Sequence, residues 1–172
     1  MGESLMNAKK LSIFFGTLAV LIVALVVLNN MRPDTVYGKP SDDLFPATRD
    51  ILNDPNYNNI MLPDVLEEKL KNKESFFVYF FSSSCPHCLL TTPQLKPLAD
   101  ELGVNLHQFN LLEFGDYYGK MKIEATPTLV YFKNGVESER MKGGLKEGSA
   151  SDGYALDDFK AFFNKHLPEG NS

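Results

Sequence analysis

Cys85 and Cys88 are the only cysteines in the 172-residue chain, and Pro86 and His87 separate them. Two thiols at this spacing can be oxidised to a disulfide and reduced again, so the pattern indicates thiol–disulfide exchange. The reaction needs a thiolate, and Cys85 is predicted to lie where a strand ends and a helix begins, where unpaired backbone N–H groups favour an anion. Pro86 suits the first helical position, and the imidazole of His87 can carry positive charge. We therefore predict that Cys85 attacks and that Cys88, one turn inward, resolves the mixed disulfide.

Two other interpretations of the cysteine pair are weaker. A structural zinc site needs four ligands, and only three histidines accompany the cysteines, without a second C-x-x-C motif. A structural disulfide at this spacing closes so short a loop that it adds little entropic stabilisation. His107, in a predicted strand, and His166, near a predicted helix end, are typical of surface or capping residues. We expect neither a metal nor a cofactor.

Elements on both sides must hold the cysteines, and the hydrophobic pattern predicts them. Ser75 to Phe81 is a continuous apolar run, typical of a strand buried on both faces, and a helix-like stretch runs from the motif to about Leu102. The remaining predicted elements are helices over Leu62–Asn72, Glu113–Lys122 and Leu156–His166, and strands over Val104–Leu111, Thr128–Lys133 and Val136–Lys142. Asn134-Gly135 predicts a tight hairpin between the last two strands. The order αβαβαββα indicates an α/β fold in which helices flank a mixed sheet.

From Leu62 to Leu167 the chain resembles the thioredoxin superfamily. The resemblance rests on four features: the C-x-x-C motif between a strand and a helix, Pro93 five residues beyond it, the Thr126-Pro127-Thr128 loop, and the hairpin TLVYFKNGVESERMKGG. It implies a thioredoxin-like fold, a redox-active Cys85–Cys88 disulfide, and a cis peptide bond before Pro127. It also implies that the backbone of Thr126 pairs with the substrate as a short added strand.

The sequence departs from thioredoxin itself at three places. Ser84 replaces the family's tryptophan before the first cysteine, and Tyr79 replaces the buried acidic residue that helps to deprotonate the second cysteine. An insertion, Gly144 to Tyr154, lengthens the loop before the last helix. The Pro-His pair between the cysteines is similar to that of DsbA-type oxidases, although the chain has no room for their inserted helical domain.

An apolar run near the N-terminus predicts a membrane segment. Leu11 to Leu28 contains no charged residue over eighteen positions, and a helix needs about 17–20 apolar residues to cross ~30 Å of hydrocarbon. We predict an uncleaved signal anchor over residues 11–30, with a cleaved signal peptide as the alternative. Basic residues are balanced across the run, but Lys9-Lys10 in the short tail of residues 1–10 resembles a secretory n-region. This favours a cytoplasmic tail and an extracytoplasmic domain.

The rest of the chain divides into three parts by composition. Residues 31–61 are rich in Pro, Asp and Asn and are predicted to be a spacer, with one turn of helix near Ala47–Leu52. Residues 62–168 form the predicted thioredoxin-like domain, and residues 169–172 are a tail. The charge of −5, from 22 acidic and 17 basic residues without a basic cluster, argues against nucleic-acid binding.

Three functions are compatible with these features. The first is a membrane-anchored thiol–disulfide oxidoreductase that oxidises or isomerises extracytoplasmic proteins, and the Pro-His pair favours this direction. The second is a thiol reductant fed by a membrane redox partner, for example in cytochrome c maturation. The third is a non-catalytic accessory module, against which the intact Cys85 and Cys88 argue. The expected partners are protein thiols and disulfides.

Overall fold

The computed structural model describes residues 2–30, 35–146, 148 and 152–167, and the chain divides into two compact units, Met1–Asp34 and Thr35–Ser172. The first unit contains helix α1, Gly2–Asn30, which includes the predicted membrane segment. Its window Lys10–Val27 has a mean hydropathy of 2.5 and none of it is buried. By length and composition α1 is a candidate membrane span, and a signal sequence would meet the same criteria.

The second unit has the element order predicted beyond residue 62. The short helix α2 spans Pro46–Asp50. The elements that follow it are α3 Pro63–Lys71, β1 Phe76–Phe81, α4 Pro86–Glu101, β2 Leu106–Asn110, α5 Tyr117–Lys120, β3 Thr128–Lys133, β4 Val136–Lys142 and α6 Leu156–His166. Helix α5 has only four residues, so it is shorter than the predicted stretch from Glu113 to Lys122.

The four strands form one mixed sheet in the order β2-β1-β3-β4. β1 pairs in parallel with β2 and antiparallel with β3, and β3 pairs antiparallel with β4. All six residues of β1 are buried because each face of the sheet carries its own core. Phe77, Tyr79 and Phe81 pack into the core with α4 and α6, whereas Val78 and Phe80 pack into the core with α3 and α5. The predicted α/β fold is confirmed.

The β3–β4 hairpin turns at Asn134-Gly135, as predicted. Both residues have positive φ, 53° and 74°, which these two residue types tolerate. Gly135 also lies so close to the end of α3 that a Cβ would stand 2.3 Å from the carbonyl oxygen of Leu70. β4 is the outer strand, and its charged residues, Glu137, Glu139, Arg140 and Lys142, are all wholly or partly exposed.

The predicted spacer differs from the structure. From Thr35 onward the segment belongs to the second unit, and five of its apolar residues are buried: Tyr37, Leu44, Ile51, Tyr57 and Met61. Residues 59–61 also extend the sheet beyond β2, since Ile60 bridges Gln108 in parallel and the Met61 N–H donates to the Gln108 carbonyl. The sequence predicts a spacer because these apolar residues recur with neither a helical nor a strand period. Without such a period, the Pro, Asp and Asn residues between them decide the prediction. Residues 31–34 lie outside the described part of the chain.

Candidate active site

Cys85 lies at the N-terminus of α4, and three residues separate it from the end of β1 at Phe81. It is the N-cap residue, and its carbonyl oxygen accepts hydrogen bonds from the N–H groups of Cys88 and Leu89, both at 3.1 Å. Pro86 occupies the first helical position, which has no intrahelical use for an N–H. The helix therefore begins at the first cysteine, as the sequence predicts, and its dipole favours negative charge there.

The two sulfurs have different surroundings. Cys85 is half-buried, and its Sγ donates a hydrogen bond to the Thr126 carbonyl oxygen at 3.3 Å. Cys88 is 0% exposed and belongs to the core between the sheet, α4 and α6. Both are free thiols in this structure. This arrangement is compatible with attack by Cys85 and resolution by Cys88, because only the first sulfur is open to a protein substrate.

Burial dominates the acid–base behaviour of Cys88. It raises the pKa of the Cys88 thiol well above its usual range, and the neighbouring Cys85 raises it further, while the Ser82 backbone opposes part of the rise. Cys88 is therefore a neutral thiol near neutral pH. Because only a thiolate attacks a disulfide, resolution by Cys88 needs some means of stabilising its charge inside the core.

The Thr126–Pro127 peptide bond is cis, as predicted, and the Thr126 carbonyl oxygen contacts Cys85 Sγ. The residues after β4 link this loop to α4: the Gly143 N–H donates to the Pro127 carbonyl at 2.8 Å, and the Leu145 N–H donates to Thr91 Oγ1 at 3.0 Å. At Gly144 between them, a Cβ would stand 2.3 Å from Thr91 Oγ1 and 3.2 Å from Pro127 Cγ. Only glycine fits this close approach, a requirement that one sequence without its fold does not reveal.

Three hydroxyl-bearing residues, Tyr57, Tyr79 and Thr92, lie behind Cys88. Thr92 Oγ1 is 2.8 Å from the Cys88 carbonyl oxygen and 3.2 Å from the Tyr79 hydroxyl. Negative charge on Cys88 contributes to the raised pKa of both tyrosines, after the larger effect of burial. Tyr79 was expected here from the resemblance. Tyr57 was not, because it comes from the segment predicted to be a spacer.

A buried polar network braces the loop before Cys85. The Ser83 hydroxyl lies 2.7 Å from that of Thr48, and the Ser83 N–H donates to Asn110 Oδ1 at 3.3 Å. The Asn110 side-chain nitrogen donates to the hydroxyls of Tyr37 at 3.1 Å, Thr48 at 3.2 Å and Ser83 at 3.3 Å. The segment before residue 62 thus holds the active-site loop from behind, through Tyr37 and Thr48.

The remaining candidate residues lie at different distances from the site. His87, within the motif, is exposed, and its carbonyl oxygen faces Gly144. The sequence does not predict that Tyr118, which is 38% exposed, lies near the site. Burial raises the pKa of Tyr118, a hydrogen bond with Thr126 offsets part of the rise, and negative charge on either cysteine adds to it. His107 and His166 contact other groups: His107 lies edge-on to a phenylalanine of β1, and His166 stacks on a tyrosine of β3.

Comparisons with known proteins agree with this geometry. The family model for thioredoxin matches residues 59–152, more than half of the chain. Thioredoxin of Mycoplasma genitalium is 34% identical over 79 residues, which are 45% of this chain and 78% of that protein. Thioredoxin of Echinococcus granulosus is 31% identical over 86 residues, 49% of this chain and 80% of that protein. Protein disulfide isomerase-like 2-3 of Oryza sativa subsp. japonica is 27% identical over 126 residues, 72% of this chain and 27% of that longer protein.

Solved structures share the fold. Thioredoxin of Malassezia sympodialis superposes with a TM-score of 0.50 at 20% identity, over 62% of this chain and 88% of that one. Thioredoxin of Fasciola hepatica gives the same TM-score and identity over 63% of this chain and 96% of its own. Together with the matched family model, these likenesses show that the chain belongs to the thioredoxin family, whose members are thiol–disulfide oxidoreductases.

Proposed function

We propose that Cys85 and Cys88 are the redox couple of a membrane-anchored oxidoreductase that oxidises or isomerises protein cysteines outside the cytoplasm. One observation carries the proposal. The half-buried sulfur of Cys85 lies at the start of α4 and against the Thr126 carbonyl, while that of Cys88 is wholly buried one turn inward. A partly exposed sulfur beside the backbone of a loop and a buried second sulfur suit thiol–disulfide exchange with a protein substrate.

In the oxidising direction, a substrate thiolate attacks Cys85 in the Cys85–Cys88 disulfide, and Cys88 leaves as a thiolate. A second substrate thiolate then attacks the substrate sulfur of the mixed disulfide, and Cys85 leaves as a thiolate. The substrate gains a disulfide and the protein becomes a dithiol. Pro86 and His87 favour this direction, because the Pro-His pair between the cysteines is similar to that of DsbA-type oxidases, whose disulfides are strongly oxidising. Thr126 would hold the substrate by backbone pairing beside the cis Pro127.

Helix α1 and its flanking charges support the proposed location. Helix α1 is long and apolar enough to serve as an anchor, and Lys9-Lys10 before its apolar window favours a cytoplasmic N-terminus. The domain would then face the compartment in which disulfides form and persist.

The redox potential of the Cys85–Cys88 couple tests the proposed direction. The full chain in detergent is equilibrated in glutathione buffers, and alkylation of cell extracts gives the redox state in vivo. We expect a potential above about −250 mV and a mostly oxidised couple in cells. A lower potential with a mostly reduced couple would favour the reductant instead. Full function in vivo after replacing both cysteines by alanine would favour the non-catalytic module.

A further inference from the structure

The backbone of Cys85 is held from both sides. Its carbonyl oxygen accepts the first hydrogen bonds of α4, and its own N–H donates to the Ser82 carbonyl oxygen at 3.0 Å, which closes a turn over residues 82–85. Cys85 has φ −86° and ψ 119°, an extended conformation that the helix alone does not impose. The direction of its Cβ, and with it of the sulfur, therefore depends on where the turn 82–85 lies.

Ser83 attaches this turn to the rest of the domain. It is 2% exposed, and its N–H donates to Asn110 Oδ1 at 3.3 Å. Its hydroxyl oxygen lies 2.7 Å from Thr48 Oγ1 and 3.3 Å from the side-chain nitrogen of Asn110. Of these three contacts, the one with Thr48 is the shortest.

Thr48 comes from a part of the chain outside the family match. It lies in α2, whereas the thioredoxin family model begins at residue 59. It is 0% exposed, and its hydroxyl also accepts a hydrogen bond from the Asn110 side chain at 3.2 Å. Burial of polar side chains costs desolvation, which apolar residues of similar size would avoid. A hydrogen-bonded network offsets this cost and fixes one arrangement of the groups it joins, here α2 and the turn 82–85.

Resolution is the step that depends most on the direction of the Cys85 sulfur. A substrate protein adjusts its own position when Cys85 attacks it, so this step requires only that the sulfur be accessible. Cys88 is fixed inside the core, and an intramolecular reaction of this kind slows steeply when the two reacting atoms are misplaced. The turn also acts on Cys88, because burial raises the pKa of the Cys88 thiol and the Ser82 backbone offsets part of the rise.

We propose that Thr48 is a positioning residue for the resolving step, because its hydrogen bond to Ser83 holds the turn 82–85 and keeps the Cys85 sulfur in line with Cys88. The inference rests on the proposed function. In this step Cys88 loses its thiol proton to solvent and its sulfur attacks Cys85. The bond between Cys85 and the substrate sulfur breaks, and its electron pair leaves on the substrate thiolate. The enzyme dithiol is oxidised and the substrate disulfide is reduced.

A two-step colour release tests the role of Thr48. The reduced full chain in detergent is mixed with excess 5,5′-dithiobis(2-nitrobenzoate), well below its melting temperature. Attack by Cys85 releases one coloured thiolate at a rate that rises with reagent concentration, and resolution by Cys88 releases a second at a rate independent of it. In Thr48→Val we expect an unchanged first rate and a second rate lower by roughly three- to tenfold, which corresponds to the net free energy of one hydrogen bond.

Two further variants separate positioning from stability. Thr48→Ser keeps the hydroxyl and should restore the second rate to nearly that of the parent chain. Tyr37→Phe is the matched control, because it removes a buried hydroxyl of the same segment that bonds the Asn110 side chain at 3.1 Å rather than the turn 82–85. We expect Tyr37→Phe to melt at a lower temperature with an unchanged second rate.

Ser83→Ala removes the same hydrogen bond from the side of the turn, and it replaces Thr48→Val if that variant does not fold. When the two changes are combined, the second rate should fall by less than the product of their separate effects, because both remove one shared bond.

Four results would overturn the inference: a second rate in Thr48→Val equal to that of the parent, a loss that Thr48→Ser does not restore, an equal slowing of both releases, or an equal effect of Tyr37→Phe. Absence of any second release in the parent chain would instead count against the proposed function itself.

Discussion

Cys85 and Cys88 experience unlike environments although only two residues separate them. The first lies at the N-terminus of α4, where its sulfur is half-buried, and the second lies one turn inside the core, where it is 0% exposed. Burial raises the pKa of the Cys88 thiol. The asymmetry follows from the position of each residue on the helix. Cys85 is the N-cap at the tip of α4, whereas Cys88, three positions later, lies on the face of the helix that packs against the sheet. It decides which sulfur a partner protein can reach.

His107 is a residue whose charge responds to folding. Burial lowers the pKa of His107 from 6.5 to about 4, and Lys69 adds to this effect while Glu74 opposes it. Above pH 6.5 the histidine is neutral in both the folded and the unfolded chain, so it has no effect on stability there. Below that pH the unfolded chain binds a proton that the folded chain resists binding, so stability falls as the pH drops towards 4.

In His107→Asn we expect the fall in unfolding free energy between pH 6.5 and 4 to shrink by about 1–2 kcal/mol. This value is reduced from the full shift because the side chain is partly exposed to solvent. Denaturant unfolding of the full chain in detergent at a series of pH values measures it. If the unfolding free energy of the variant and of the parent falls equally with pH between 6.5 and 4, His107 does not take up a proton on unfolding.

At the scale of elements, local sequence predicted what lies near the cysteines in the chain. The apolar run of β1, the Pro86 start of α4 and the Asn134-Gly135 turn each have a strong local signal, and the structure confirms them. The cis bond before Pro127 was expected from the resemblance and is present. These features depend on neighbours in sequence or on a motif.

The parts that sequence did not predict depend on contacts between distant residues. Tyr57 shares a core cluster with Cys88, 31 positions away in sequence, and Thr48 lies beside Ser83, 35 positions away. The segment that carries them has no regular hydrophobic period, so its polar composition suggested a spacer. Gly144 was seen only as the start of an insertion, because the close approach that requires glycine exists only once the loop meets α4.

Asn110 joins three elements, and its removal should loosen the active-site loop. In Asn110→Ala the hydroxyls of Tyr37, Thr48 and Ser83 lose a shared buried partner, and the Leu112 N–H loses its acceptor at 3.1 Å. We expect a loss of about 2–4 kcal/mol in unfolding free energy, since buried polar groups left unpaired are costly. Thermal and denaturant unfolding measure it.

Asn105→Ala is the control for this change, because the Asn105 side chain is exposed and bonds Asn59 at the surface. It should cost less than about 0.5 kcal/mol, as surface substitutions usually do. Comparable losses in the two variants would mean that the Asn110 network does not brace the loop.

For the whole molecule, the location of the domain can be tested through the exposure of Cys85. A membrane-impermeant maleimide added to reduced, intact spheroplasts of a bacterial host should label the full chain if the domain is extracytoplasmic. Cys85→Ser should remain unlabelled, because the Cys88 sulfur is 0% exposed. Labelling of the parent chain only after lysis would place the domain in the cytoplasm and refute the proposed location.

The outer strand β4 has a consequence for how copies of the domain meet. Residues 59–61 pair with β2 at Gln108, and β4 is the opposite edge of the sheet. An open edge offers unpaired backbone groups to a strand of another molecule, and charged side chains or a bulge discourage such pairing. β4 has both, through residues such as Glu137 and Lys142 and through the irregular register at Tyr131/Phe132. Two copies that lie close together therefore have no flat apolar edge along which their sheets could pair. The charges and the irregular register of β4 thus disfavour edge-to-edge aggregation of the domain.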